Sequence, residues 1–90
     1  MVFKWDPRKA AGNLRKHGID FHEAATVLDD MLSTTFPDLD HSGVEQRFIT
    51  VGMSGRGRLL VVVHTEKADT IRMISARRAT RREQSFYEEG

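Results

Sequence analysis

The 90-residue chain contains no cysteine. That absence excludes disulfides, thiolate zinc sites and cysteine nucleophiles. Long hydrophobic runs are also missing. The longest, Leu59 to Val63, is far shorter than the roughly 20 residues of a membrane-spanning helix. No apolar stretch follows a basic N-terminus, so no secretory leader is expected. Proline occurs twice, and neither repeats nor low-complexity tracts interrupt the chain. Residues 1–90 therefore read as one domain. A domain of this size buries roughly 60–65% of its unfolded surface, so it folds with little to spare. The lack of cysteine is compatible with the cytoplasm. The four histidines, His17, His22, His41 and His64, follow no compact ligand spacing, so no metal is expected. Gly55-Arg56-Gly57 is a turn and not a phosphate loop, because no Lys-Ser/Thr pair and helix follow it. No cofactor is expected.

Charge is what the chain has in quantity. Lys and Arg total 14, Asp and Glu 13, for a net charge of +1. That sum excludes a histone-like polycation. The distribution is less even: Arg72, Arg77, Arg78, Arg81 and Arg82 fall between residues 70 and 82 with no acid among them. Asp29, Asp30, Asp38, Asp40 and Glu45 collect in the middle. A near-neutral chain can thus carry a strongly basic face.

Local patterns predict the order β-α-α-β-β-β-β-α. Val2 to Trp5 reads as an edge strand. Asp6-Pro7 caps and opens a helix that Gly18 stops. Lys16 and His17 complement the dipole at its end. Asp20, with Glu23 three residues on, opens a second helix ending near Asp29-Asp30. Ser33 to Phe36 is β-prone, and 38–43 is turn-rich. Three strands follow over 46–53, 58–65 and 70–77, separated by four-residue turns at 54–57 and 66–69. Thr80 and Glu83 form a capping box that opens a last helix over 81–89. The class is α+β, with helices against an antiparallel sheet.

Four-residue turns pair Met53 with Arg58 and Thr65 with Thr70. One face then holds Arg47, Ile49, Val51, Arg58, Leu60, Val62, His64, Ile71, Met73, Ser75 and Arg77. The other holds Phe48, Thr50, Gly52, Leu59, Val61, Val63, Arg72, Ile74, Ala76 and Arg78. This register sets Arg47 beside His64 and Arg58 beside Arg77. Both faces have an apolar middle, so the pattern leaves open which one the helices cover.

Several blocks, taken together, resemble a known family. They are Phe3-Lys4-Trp5-Asp6, Asn13-Leu14-Arg15-Lys16-His17-Gly18, Arg47-Phe48-Ile49-Thr50-Val51-Gly52, Leu59 to Glu66, and Ile71-Arg72-Met73-Ile74-Ser75-Ala76-Arg77-Arg78-Ala79-Thr80. Over nearly the whole chain this order resembles the BrnT family of type II toxins. The resemblance implies a RelE-like fold and an endoribonuclease that slows translation. It also implies a BrnA-like antitoxin with a ribbon-helix-helix part, and operator DNA bound only through the toxin–antitoxin complex.

Metal-free RNA cleavage uses the substrate 2′-OH as nucleophile. It needs proton transfer and cations aimed at the charge growing on phosphorus. Arg77, directly before a helix start, is the first candidate for phosphate stabilisation, with pairing to a nearby carboxylate as the alternative. His64 is the acid–base candidate by its near-neutral titration, or else a structural histidine in an apolar strand. Arg47, its expected neighbour, would oppose its protonated form. Tyr87 could stack a base, donate a proton or belong to the core. Arg58, Arg72 and Arg78 are candidate RNA contacts, with a solvated charged face as the alternative. A non-catalytic nucleic-acid-binding regulator and a module docking an acidic partner compete with the ribonuclease reading.

Overall fold

The computed structural model describes residues 1–41, 43 and 45–89; Ser42, in the turn-rich stretch expected over 38–43, lies outside them. The elements are β1 (Val2–Lys4), α1 (Pro7–His17), α2 (Phe21–Thr26) continuing into a 3₁₀ turn (Val27–Asp29), β2 (Thr34–Pro37), β3 (Arg47–Met53), β4 (Leu59–Lys67), β5 (Thr70–Arg78) and α3 (Arg81–Glu89). The sheet runs β1-β5-β4-β3-β2. It is mixed rather than antiparallel, because β1 pairs parallel with β5.

The helix ends follow their local chemistry. Asp6 Oδ1 accepts from the Arg8 amide at 2.8 Å, and Pro7 occupies the first turn. Gly18 closes α1 at φ 71°, and its amide returns to the Leu14 carbonyl. That left-handed geometry is open to glycine at no steric cost. Asp20 Oδ1 accepts from the Glu23 amide at 2.7 Å. Glu23 does not reciprocate as a capping box would. Its carboxylate turns inward to Ser54 and Arg58. The box at α3 is complete: Glu83 Oε1 accepts from the Thr80 amide, and Thr80 Oγ1 from the Glu83 amide.

The helices α1 and α2 cover one sheet face. Ile19, Phe21, Ala24 and Val27 pack there against Leu60, Val62, Ile71, Met73 and Ala76. Three details of register depart from expectation and decide which side chains share a face. The β3–β4 loop has five residues, pairing Met53 with Leu59. Arg58 belongs to this loop, whose ends join through the Ser54 amide and Arg58 carbonyl at 2.8 Å. The slip exchanges the faces of β3, so Thr50 and Gly52 face the helices while Ile49 and Val51 do not. Arg47 consequently lies opposite Thr65, and His64 opposite Phe48. The expected Arg47–His64 and Arg58–Arg77 neighbours are both corrected.

The β4–β5 turn, by contrast, is shorter than expected. Lys67 pairs with Thr70 around Ala68-Asp69, with Ala68 at φ 53°. Glycine or asparagine usually supplies that conformation, so alanine hides the tight turn from a composition reading. Finally, β5 bulges: Val63 pairs with Ser75 and His64 with Met73, which leaves Ile74 unpaired. A bulge shifts the alternation by one residue. Ile71, Met73 and Ala76 therefore point to the helices, and Ser75 and Arg77 to the opposite face.

Asn13 holds this irregular region. It is a buried polar residue in α1. Its Nδ2 donates to the carbonyls of Ile19 (3.0 Å) and Ala76 (2.8 Å), and its Oδ1 accepts from the Ala76 amide (3.0 Å). The β1 ladder reaches only Arg72. Beyond it the Asn13 amide serves β5 as a strand would. Gly52 meets a different constraint. A Cβ there would lie 2.8 Å from Ser33 Cβ and 3.0 Å from Val27 Cγ1, so the 3₁₀ turn packs directly on bare backbone.

Asn13→Ala strips both polar groups of Ala76 at a buried site. An unsatisfied group costs about 1–3 kcal/mol, so a loss of about 2–4 kcal/mol is expected. Urea unfolding of the variant measures it, and an unchanged midpoint would contradict the bridging role.

Candidate functional site

The face away from α1 and α2 carries a cavity of about 430 Å³. Its floor is Ile49, Val51, Val61 and Val63, and α3 supplies Arg82, Glu83 and Phe86. Phe36 of β2 meets Phe86 edge-on at 6.3 Å across its mouth. Ser75 and Arg77 enter from β5 because of the bulge. The cavity is thus apolar below and charged on one wall.

Arg77 and Glu83 form a two-pronged pair, Nη1 to Oε1 and Nη2 to Oε2, both at 2.8 Å. Arg77 Nη1 also approaches the Arg78 carbonyl at 3.3 Å. The Arg77 guanidinium, with help from the Thr80 amide, pulls the Glu83 carboxyl down to about 2 against its own partial burial. The carboxylate in turn pushes the Arg77 guanidinium up. Glu83 is therefore ionised at neutral pH, and Arg77 is aimed by it. Arg82 is exposed beside this pair. Cationic forks beside an ionised carboxylate, above an apolar floor, suit a phosphodiester with an attached base.

The other candidates are dispersed. Arg58, Arg78 and Tyr87 line a separate cavity of about 260 Å³ with Met53, Gly57 and Leu59. Arg58 donates from Nε at 2.9 Å and from Nη2 to the buried Glu23 carboxylate. Its guanidinium, ahead of the opposing desolvation, keeps Glu23 below the usual carboxylate range. That pair fastens α2 to the 54–58 loop. Tyr87 donates to Asp30 Oδ2 at 2.6 Å, where the Met53 amide also donates at 2.7 Å. The hydroxyl thus pins α3 to the 3₁₀ turn, and the Asp30 carboxylate pushes its titration up. Arg72 is half-exposed and donates from Nη2 to Glu45. Arg47 lies in a third cavity, against α1.

His64 is fully buried on the helix-covered face, away from Arg77. Its Nε2 lies 2.8 Å from Thr50 Oγ1, which continues to Thr35 Oγ1 at 2.7 Å. Its ring stacks on Phe48, and Nδ1 has no hydrogen-bond partner. Burial pushes its titration down, opposed by the Glu66 carboxylate. Glu83 and Ser75 were not among the candidates drawn from sequence. Glu83 was visible as a helix cap, and its spacing of six from Arg77 was the missed clue. Nothing in the residue pattern marks the bulge that exposes Ser75.

A small α+β domain with an arginine–carboxylate pair over an apolar cleft is consistent with a phosphodiester-processing protein. A family model described as "Ribonuclease toxin, BrnT, of type II toxin-antitoxin system" matches residues 5–83. The chain belongs to this family of ribonuclease toxins. Among solved structures it is similar to the Brucella abortus ribonuclease toxin BrnT, with a TM-score of 0.68 at 22% identity. That match covers 90% of this chain and 100% of the Brucella chain. At this identity it establishes a shared fold. No curated protein matches. Among the described residues, no helix is long and apolar enough to cross a membrane.

The His64 geometry sets a pH dependence. The folded protein holds the imidazole below its ordinary 6.5, so protons favour the unfolded chain. The stability that its neutral form contributes is present above that value and falls as pH drops below it. Urea midpoints measured from about pH 7.5 down to about pH 5.5 should fall, and should fall less in His64→Gln. Equal slopes in the two proteins would contradict a buried neutral ring.

Proposed function

We propose that this BrnT-family chain, with residues 1–90 as one toxin domain on a RelE-like fold, is a metal-independent endoribonuclease acting in the cytoplasm. In this reading it inhibits translation by cutting RNA. It is silenced by a BrnA-like antitoxin whose ribbon-helix-helix part takes the complex to operator DNA. The observation that carries the reading is Arg77, a fork already aimed by Glu83, opening on a cleft large enough for a nucleotide.

The chemistry follows from that pair. The substrate 2′-oxygen bonds to phosphorus, the bond from phosphorus to the 5′-oxygen breaks, and a 2′,3′-cyclic phosphate and a 5′-hydroxyl leave. Arg77 and Arg82 stabilise the charge that develops on the non-bridging oxygens. Glu83 lines the same cavity, so it accepts the 2′-OH proton, while solvent water protonates the departing 5′-oxygen and then recovers the proton from Glu83. Held near 2 by Arg77, it is a weak base in the free protein. A phosphate that draws the guanidinium away raises its basicity toward the ordinary 4.5, so the base strengthens when substrate is in place. His64 takes no part in this scheme, being sealed in the core. Tyr87 holds α3, and with it Glu83, at its height above the sheet. Arg78 at the exposed end of β5 contacts RNA outside the cleft. The apolar rim formed by Phe36 and the half-exposed Phe86 fits an antitoxin segment that covers the cleft.

Purified protein incubated with RNA in excess EDTA tests the reading. Cleavage should persist in EDTA and fall about 10²–10³-fold in Arg77→Ala, the loss typical of removing one charge-stabilising donor. RNA bound tightly but left intact would instead identify a non-catalytic nucleic-acid-binding regulator.

A further inference from the structure

A second groove adjoins the Arg77 cavity and differs from it in kind. It measures about 390 Å³ and lies between α1 and the sheet. Lys9, Gly12 and Lys16 form one wall, with Arg47 and Ser75 across from them. Ser75 borders both this groove and the Arg77 cavity. Lys9, Gly12 and Lys16 are spaced i, i+3 and i+7, one stripe of the helix. Both lysines are exposed. Among the described residues neither has an ion pair.

Gly12 is the independent observation. Glycine inside a helix weakens it relative to alanine. Here φ is not positive, and an added Cβ would meet only the tip of Arg15, at 3.9 Å. Neither packing nor backbone geometry requires glycine at this position. What it leaves is a stretch of bare helix between two lysines, in a groove whose width is set by the Asn13–Ala76 bonds. Bare backbone in such a place permits close approach of a ligand.

We propose that Lys9, Gly12 and Lys16 bind the sugar–phosphate backbone of single-stranded RNA, extending the substrate path from the Arg77 cleft across Ser75. This rests on the RNA-cleaving reading. The lysines stand about 10 Å apart along the axis, at the rise of an α-helix, which suits phosphates about two nucleotides apart along a strand. A peptide partner would need apolar anchors for its affinity, and Ile74 is the one large apolar side chain lining the groove. Phosphates need only cations and room.

The test is binding of a labelled single-stranded oligodeoxynucleotide, about twelve nucleotides long. It has no 2′-OH and cannot be cut, so binding is read apart from cleavage. Lys9→Ala/Lys16→Ala should weaken binding about fivefold or more and lower the salt slope by roughly one to two. Gly12→Leu should weaken binding while Tm stays level or rises, which separates groove blockage from misfolding. Unchanged affinity and salt slope in the double variant overturn the proposal, as does loss of antitoxin binding with oligonucleotide binding intact. If the wild-type chain binds the oligonucleotide through these residues but cuts no RNA, the groove stands and the ribonuclease reading fails.

Discussion

The structure turns on the side-chain amide of Asn13. β5 has a short parallel partner in β1 and then none on that side, at the point where the bulge interrupts its other ladder. Asn13 supplies a donor and an acceptor to Ala76 there, and a second donor bond to Ile19. One residue therefore satisfies a strand edge, fixes α1 against the sheet and secures the chain between α1 and α2. The bulge depends on it, because irregular backbone persists only where its polar groups are paired. The bulge then turns Arg77 away from the core and toward the cleft.

Three of the arginines so prominent in composition are committed to carboxylates. Arg58 holds Glu23, Arg72 holds Glu45, and Arg77 holds Glu83. These pairs do different work. The Glu23 pair is largely buried and also joined by Ser54, so it ties a helix to a loop. The Arg72 pair is exposed on both sides and adds little to stability. The Arg77 pair stands at the edge of a cleft, where a competing anion can reach one partner. Charge arithmetic could not rank these roles. Location relative to cavities does.

Much of the local architecture was readable in advance. Asp6-Pro7, Gly18, Asp20 and the Thr80–Glu83 box each specify a helix end through chemistry within a few residues. The strands over 47–53, 59–67 and 70–78 lie close to their expected limits. The candidate site was less readable. Arg77 is visible at the end of the expected third strand, just ahead of a helix start, but its partner Glu83 reads only as a cap. His64 had the right titration for catalysis, yet burial on the helix side removes it from the cleft. Arg47 and Arg58 were given neighbours that one extra loop residue took away.

What the sequence determined by itself was local: where helices start and stop, which segments are strands, and the apolar content that makes a two-faced sheet. These depend on groups a few residues apart. The faces themselves were decided only by tertiary structure. With a side-chain period of two, a single residue in the 54–58 loop or at Ile74 exchanges every partner beyond it. Those single residues are held by contacts made at long range, Arg58 to Glu23 and Ala76 to Asn13. The cleft that joins Arg77 to Glu83 exists because those contacts form.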